Sequence, residues 1–130
     1  MIQTPTCVGL VLCEKFVVEE NSRNLTLVNC FQRLAVAELP WTAEPFYLYF
    51  CLTDGIGAGT LLVEIADADG LARVDEIPIA IQFDDPTKRK RLVASVTGCT
   101  FEAPGRYQVT ITADNEFVAL SVFDVELMEA

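Results

Sequence analysis

Residues 106–128 read "RYQVTITADNEFVALSVFDVELM". Tyr107, Val109, Ile111 and Ala113 fall on one side of an alternating pattern. Arg106, Gln108, Thr110 and Thr112 fall on the other. A period of two, apolar against polar, is the pattern of a half-buried strand. Asp114-Asn115-Glu116 supplies turn residues, and the apolar run resumes at Phe117. The stretch predicts a β-hairpin with strands over 106–113 and 117–128.

The same grammar extends upstream. "EAPG" over 102–105 is a turn centred on Pro104-Gly105. Residues 91–101 predict a strand broken near Gly98, and "DDPTKRK" over 84–90 a loop. Residues 72–83 alternate best from Ile77 to Phe83, with Pro78 pointing to an edge position. Further strands are predicted over 60–67, 46–53, 25–37 and 7–19, with a turn at 21–24. Pro40 and Pro45 keep "ELPWTAEP" out of any central strand. No segment has convincing helical spacing. About eight strands at intervals of roughly 10–15 residues indicate a sandwich or barrel. At 130 residues the chain is expected to be a single domain over 1–130.

Composition excludes several functions. The chain is 52% hydrophobic, enough for a sizeable core, and its net charge is −10. Such an acidic chain repels phosphate backbones and anionic lipid, so neither nucleic acid nor a membrane is an expected partner. No run approaches the roughly 18 apolar residues of a membrane helix. "MIQTPTCVGLVLCEKF" has no Lys or Arg before its apolar run and reads as a strand rather than a secretory signal, so a cytoplasmic protein is expected. There is no histidine, hence no Ser-His-Asp or Cys-His pair, and neither an enzyme nor a cofactor is expected. The five cysteines are widely spaced with no C-x-x-C, which favours reduced, buried thiols over a zinc site. Cys7 and Cys13, six apart, are expected on one face of a strand but too far apart for a bridge.

"TDGIGAGTLLVEIADADG" over 53–70 holds two tempting signals. A phosphate loop must open a helix and, in the Walker form, end in Lys. Here Gly55–Gly59 leads into a strand with no lysine near, so it predicts a turn. A calcium loop starting at Asp67 would need Gly at Ala72 and Glu at Pro78. Asp67–Gly70 therefore predicts a second turn, with Gly70 in the left-handed region. If strands simply alternate direction, Asp54, Asp84, Asp85 and Asp114 share one end of the sandwich and Asp67 and Asp69 the other. The first four are the candidate calcium ligands of a small-ligand or calcium-binding alternative.

Lys88-Arg89-Lys90-Arg91 is the one basic cluster. It suits a solvated loop that guards a strand edge, or a docking point for an acidic partner. Trp41, Tyr47 and Tyr49 suit core or interface packing better than a sugar platform. In "FVALSVF", Phe117, Ala119, Ser121 and Phe123 share one side while Val118, Leu120 and Val122 take the other. A sandwich strand needs only one apolar side. The surplus predicts a covered outer surface and a protein-interaction or assembly module, most simply a homodimer, with Phe117 and Phe123 as candidate contacts.

Two segments, "LVLCEKFVVEENSRNLTLVNCFQRLAV" and "TFEAPGRYQVTITADNEFVALSVFDVEL", carry a resemblance. Leu12-Cys13-Glu14-Lys15-Phe16 and Phe101-Glu102-Ala103-Pro104-Gly105-Arg106-Tyr107 resemble the leading L-C-D/E-x-V strand and late F-x-x-P-G-x-Y hairpin of an uncharacterised bacterial family of small, single-domain, immunoglobulin-like β-sandwich proteins. Asn29-Cys30-Phe31 departs from that family's usual Gly-Ile-Phe. The resemblance implies an antiparallel, immunoglobulin-like sandwich in a bacterial setting, and it carries over no catalytic residue.

Overall fold

The computed structural model describes residues 2–69 and 72–128, and no helix occurs among them. Gly70, expected in the left-handed region, lies outside the described residues. The strands are β1 (Thr6–Val18), β2 (Leu25–Cys30), β3 (Arg33–Val36), β4 (Trp41–Thr42), β5 (Phe46–Thr53), β6 (Gly57–Asp67), β7 (Arg73–Phe83), β8 (Lys90–Val96), β9 (Thr100–Phe101), β10 (Gly105–Ala113) and β11 (Glu116–Leu127). One sheet runs β2-β1-β5-β8 and the other β3-β11-β10-β6-β7, with β4 and β9 forming a two-residue ribbon. Pro78 lies in the edge strand β7, where a missing donor costs little.

The core is drawn from one side of the alternating strands. Leu48, Phe50 and Leu52 of β5 face Leu61, Val63 and Ile65 of β6 and Val109 and Ile111 of β10, all 1% exposed or less. Each such side chain contributes about 1.5–3 kcal/mol relative to exposure. Phe101, Tyr107 and Phe123 pack together, and Trp41 stacks on Phe101 with ring centroids 5.9 Å apart. The Tyr107 hydroxyl donates to the Ala103 carbonyl at 2.6 Å. Near the start of its strand and bonded to backbone upstream, Tyr107 forms the tyrosine corner of immunoglobulin-like sandwiches. The domain is an all-β sandwich of that type.

The structure corrects several expectations. Residues 25–37 are two strands: β2 pairs antiparallel with β1, and β3 pairs parallel with β11. The sandwich is therefore not wholly antiparallel. Asn29 takes a positive φ of 54°, and Phe31 plugs the crossing, its ring edge-on to Phe46 and Phe123. The expected turn at Gly55–Gly59 is shorter, because β6 already begins at Gly57. Gly55 is required by space: a Cβ there would sit 2.6 Å from the Phe83 ring.

Two bulges invert the side-chain pattern. The β1–β5 register shifts between Cys7 and Leu10, so Cys7 lies opposite Leu52 whereas Cys13 lies opposite Tyr47. Leu52 is a core residue and Tyr47 alternates with the core residues Phe46 and Leu48, so Cys7 and Cys13 point to opposite faces. In the β10–β11 hairpin, Ile111 pairs with Ala119 but Thr112 pairs with Phe117, leaving Val118 as an extra residue. Phe117 is consequently 62% exposed while Phe123 is 1% exposed. Phe123 is a core residue, not a partner contact.

Candidate functional site

The most distinctive surface is the outer edge of β11. On its inner edge β11 pairs with β10 along its length. On its outer edge β3 covers only Asp124–Leu127. From Glu116 to Phe123 no strand pairs with that edge among the described residues. Backbone N–H and C=O groups along such an edge form a template for another strand.

Its chemistry changes where the cover ends. The covered part carries ion pairs: Arg106 Nε to Asp124 Oδ1 at 3.0 Å and Arg33 Nε to Glu126 Oε2 at 3.6 Å. The hydrogen bond that Arg106 donates to Asp124, then the charge of Asp124, pushes the Arg106 guanidinium above its ordinary range. The open part, Phe117–Phe123, carries no charge. Phe117, Leu120 and Val122 stand exposed on the sheet's outer face, beside Thr112, Thr110 and Gln108 of β10. Among the described residues, nothing covers the surplus apolar side that the sequence presents there.

Asp54, Asp84, Asp85 and Asp114 do share one end of the sandwich. The Asp54 amide bonds the Pro86 carbonyl at 3.2 Å, and the Asp114 amide bonds the Thr60 carbonyl at 3.0 Å. Three of these carboxylates are hydrogen-bonded to neighbouring groups of the chain. Asp114 Oδ1 accepts the Thr60 amide at 2.9 Å, and Asp84 Oδ1 accepts the Gln82 side-chain amide at 3.0 Å. Asp85 Oδ1 accepts both the amide and the hydroxyl of Thr87, and these bonds hold its carboxyl below the usual range. No three Cys, Asp or Glu groups converge as metal ligands among the described residues. Asp67, at the opposite end, pairs with Tyr107 in register and caps the Asp69 amide at 3.0 Å.

The basic cluster is partly tied down. Lys90 Nζ donates to the Gln82 carbonyl and lies 5.7 Å from the Phe83 ring centre. Arg91 donates to the Arg23 carbonyl at 3.0 Å. Arg89, Lys90 and Arg91 line a shallow groove floored by Phe16, Val18, Leu25 and Val93, while Lys88 lies beyond it. The aromatic residues form no single platform: Trp41 belongs to the β4–β9 ribbon, whereas Tyr47 packs against Phe16 with ring centres 5.0 Å apart. The thiols are not uniformly buried either. Cys13, Cys51 and Cys99 are buried, but Cys30 is exposed. Burial, then the charge of Asp75, pushes the Cys99 thiol up to about 12.

Residues 9–126 match DUF6941, a family of unknown function. The chain belongs to this family. No curated protein matches it. Among solved structures the DUF6941 domain is similar to a β-glucosidase from Listeria innocua, at 12% identity and a TM-score of 0.49. The match covers 94% of this chain but only 16% of the glucosidase. It is also similar to the CARDB domain of a Pyrococcus furiosus protein in complex with di-metal ions, at 16% identity and a TM-score of 0.44, covering 97% of this chain and 90% of that one. An immunoglobulin-like protein from Pseudomonas aeruginosa matches at 15% identity and a TM-score of 0.44, covering 97% of both chains.

Proposed function

We propose that this DUF6941 domain is a non-catalytic assembly module of the bacterial cytoplasm that pairs with a second copy of itself through the open edge of β11. The observation that carries this reading is the coincidence, over Phe117–Phe123, of an unpaired strand edge with an uncharged, partly exposed apolar run. Two chains of net charge −10 repel over most of their surfaces. An uncharged edge is where two copies can approach. Antiparallel pairing about a two-fold axis near Leu120 is self-complementary: the exposed Leu120 of one copy meets Leu120 of the other. Main-chain hydrogen bonds give such strand addition its affinity, and Phe117 and Leu120 add apolar contact.

Sedimentation velocity tests the reading. The expected result is a species of twice the 14.3 kDa chain mass at micromolar concentration, lost in Leu120→Lys. A wild-type monomer throughout that range refutes it. A second reading, a protein partner with an acidic segment on the Arg89–Arg91 groove, is favoured by the apolar floor beneath those cations. It predicts binding that weakens steeply with salt and is lost in Arg89→Glu.

A further inference from the structure

Of the five cysteines, Cys13 and Cys30 have a relation no other two share: they are direct cross-strand partners in the β1–β2 ladder. The hydrogen-bond phase there is defined. The Phe31 amide donates to the Leu12 carbonyl at 3.0 Å, so Leu12 and Phe31 form a hydrogen-bonded pair. The next pair along an antiparallel ladder, Cys13 and Cys30, is then of the non-hydrogen-bonded kind. In such pairs the Cα atoms lie about 4.5 Å apart and the side chains approach each other on one face. A disulfide spans Cα separations of about 4.4–6.8 Å. The two thiols differ in access: Cys30 is exposed and Cys13 is buried. Burial first, and the neighbouring Cys30 second, push the Cys13 thiol above its ordinary range, consistent with the two sulfurs lying close. Asn29, in the left-handed region, immediately precedes Cys30, the last residue of β2 before the chain crosses to β3.

We propose that Cys13 and Cys30 form a reversible thiol–disulfide modification site, in which Cys30 is the attacking thiol and Cys13 the resolving one. The co-reactant is a low-molecular-weight disulfide. The Cys30 thiolate attacks one of its sulfurs, forming a mixed disulfide and expelling the first small thiolate. The Cys13 thiol gives its proton to solvent and attacks the Cys30 sulfur, forming the internal bond and expelling the second. Two protein thiols are oxidised and one small disulfide is reduced to two thiols. The new bond locks β1 to β2 one residue before Phe31 begins the crossing. With Cys30 exposed, the bond is one that thiols can reach and reopen.

The test is oxidised glutathione added to the full chain, followed by alkylation, intact mass and peptide mapping. The wild type is expected to become two hydrogens lighter, with one cross-linked peptide pair joining Cys13 to Cys30, and to revert with excess reduced thiol. Cys13→Ser is expected to stop at one glutathione on Cys30, and Cys30→Ser to form no internal bond. The wild-type map stands without either variant should Cys13→Ser unfold. A wild type that stops at the adduct, bridges a different cysteine pair, or leaves Cys30 unreacted overturns the proposal.

Discussion

The hairpin at Asp114 offers a quantitative prediction, because one carboxylate meets one glycine there. Asp114 Oδ1 accepts the Thr60 amide at 2.9 Å, and the Asp114 amide returns a bond to the Thr60 carbonyl at 3.0 Å. A Cβ built on Gly59 would stand 2.8 and 2.9 Å from the two carboxylate oxygens and 3.0 Å from the Ile2 Cβ. Gly59→Ala therefore evicts the carboxylate. The lost charge-assisted bond, at a solvent-exposed site, is worth about 1.5 kcal/mol. Alanine's advantage over glycine in a strand returns about 0.5–1 kcal/mol. The expected net loss is about 1 kcal/mol. Asp114→Ala loses the same bond and places alanine at φ 45°, where aspartate is better tolerated. Its expected loss is about 2–3 kcal/mol. With the carboxylate gone, Gly59→Ala has no bond left to break and keeps only alanine's gain, so the double variant should be about 0.5–1 kcal/mol more stable than Asp114→Ala. Urea unfolding of the four proteins, followed by circular dichroism, measures the cycle. Independent losses that simply add, or an Asp114→Ala loss below about 0.5 kcal/mol, refute the reasoning.

The bulge at Val118 predicts opposite outcomes for two phenylalanines of one strand: Phe123→Ala should cost about 3–5 kcal/mol in urea unfolding, and Phe117→Ala within about 0.5 kcal/mol of nothing at concentrations where the chain is monomeric. Tyr107→Phe removes the bond to the Ala103 carbonyl and should lower stability by about 1 kcal/mol, read as a Tm drop of roughly 3–6 °C. Alkaline pH should destabilise the fold through Cys99. Above pH 9 the unfolded thiol ionises while the folded one, raised to about 12, stays protonated, so stability present below pH 9 falls as pH climbs towards 12. Tyr107, raised by burial, adds to the same slope, so Cys99→Ala should flatten the curve without abolishing its fall, and an unchanged slope would count against the buried thiol.

What was legible in the sequence followed from strict alternation and turn chemistry. "RYQVTITA" gives β10, and its Tyr107 and Pro104-Gly105 give the corner above it. Pro78 gives an edge strand. Simple reversal of strand direction brings four aspartates to one end, but it cannot say that Asp85 and Asp114 spend their oxygens on Thr87 and Thr60. Failures concentrate at one-residue irregularities. A bulge leaves no mark on hydrophobicity, yet it reverses every later side chain, which is why Phe117 and Phe123, and likewise Cys7 and Cys13, take opposite faces where simple alternation puts them on one. "LTLVNCFQRLAVA" reads as one strand because each half is apolar, and only the positive φ at Asn29 and the docking of Phe31 divide it between two sheets. The two-sided apolar pattern of β11 speaks of an apolar outer face and not of an open edge. That edge depends on how little of β11 the parallel strand β3 covers.

Amide hydrogen exchange along β11, at two protein concentrations, tests the self-pairing most directly. Amides of Phe117–Phe123 that point away from β10 are predicted to exchange slowly at high concentration and to lose protection on dilution, or in Leu120→Lys, while the β10-paired amides stay protected. Fast exchange of those edge amides at every concentration would contradict assembly through this strand.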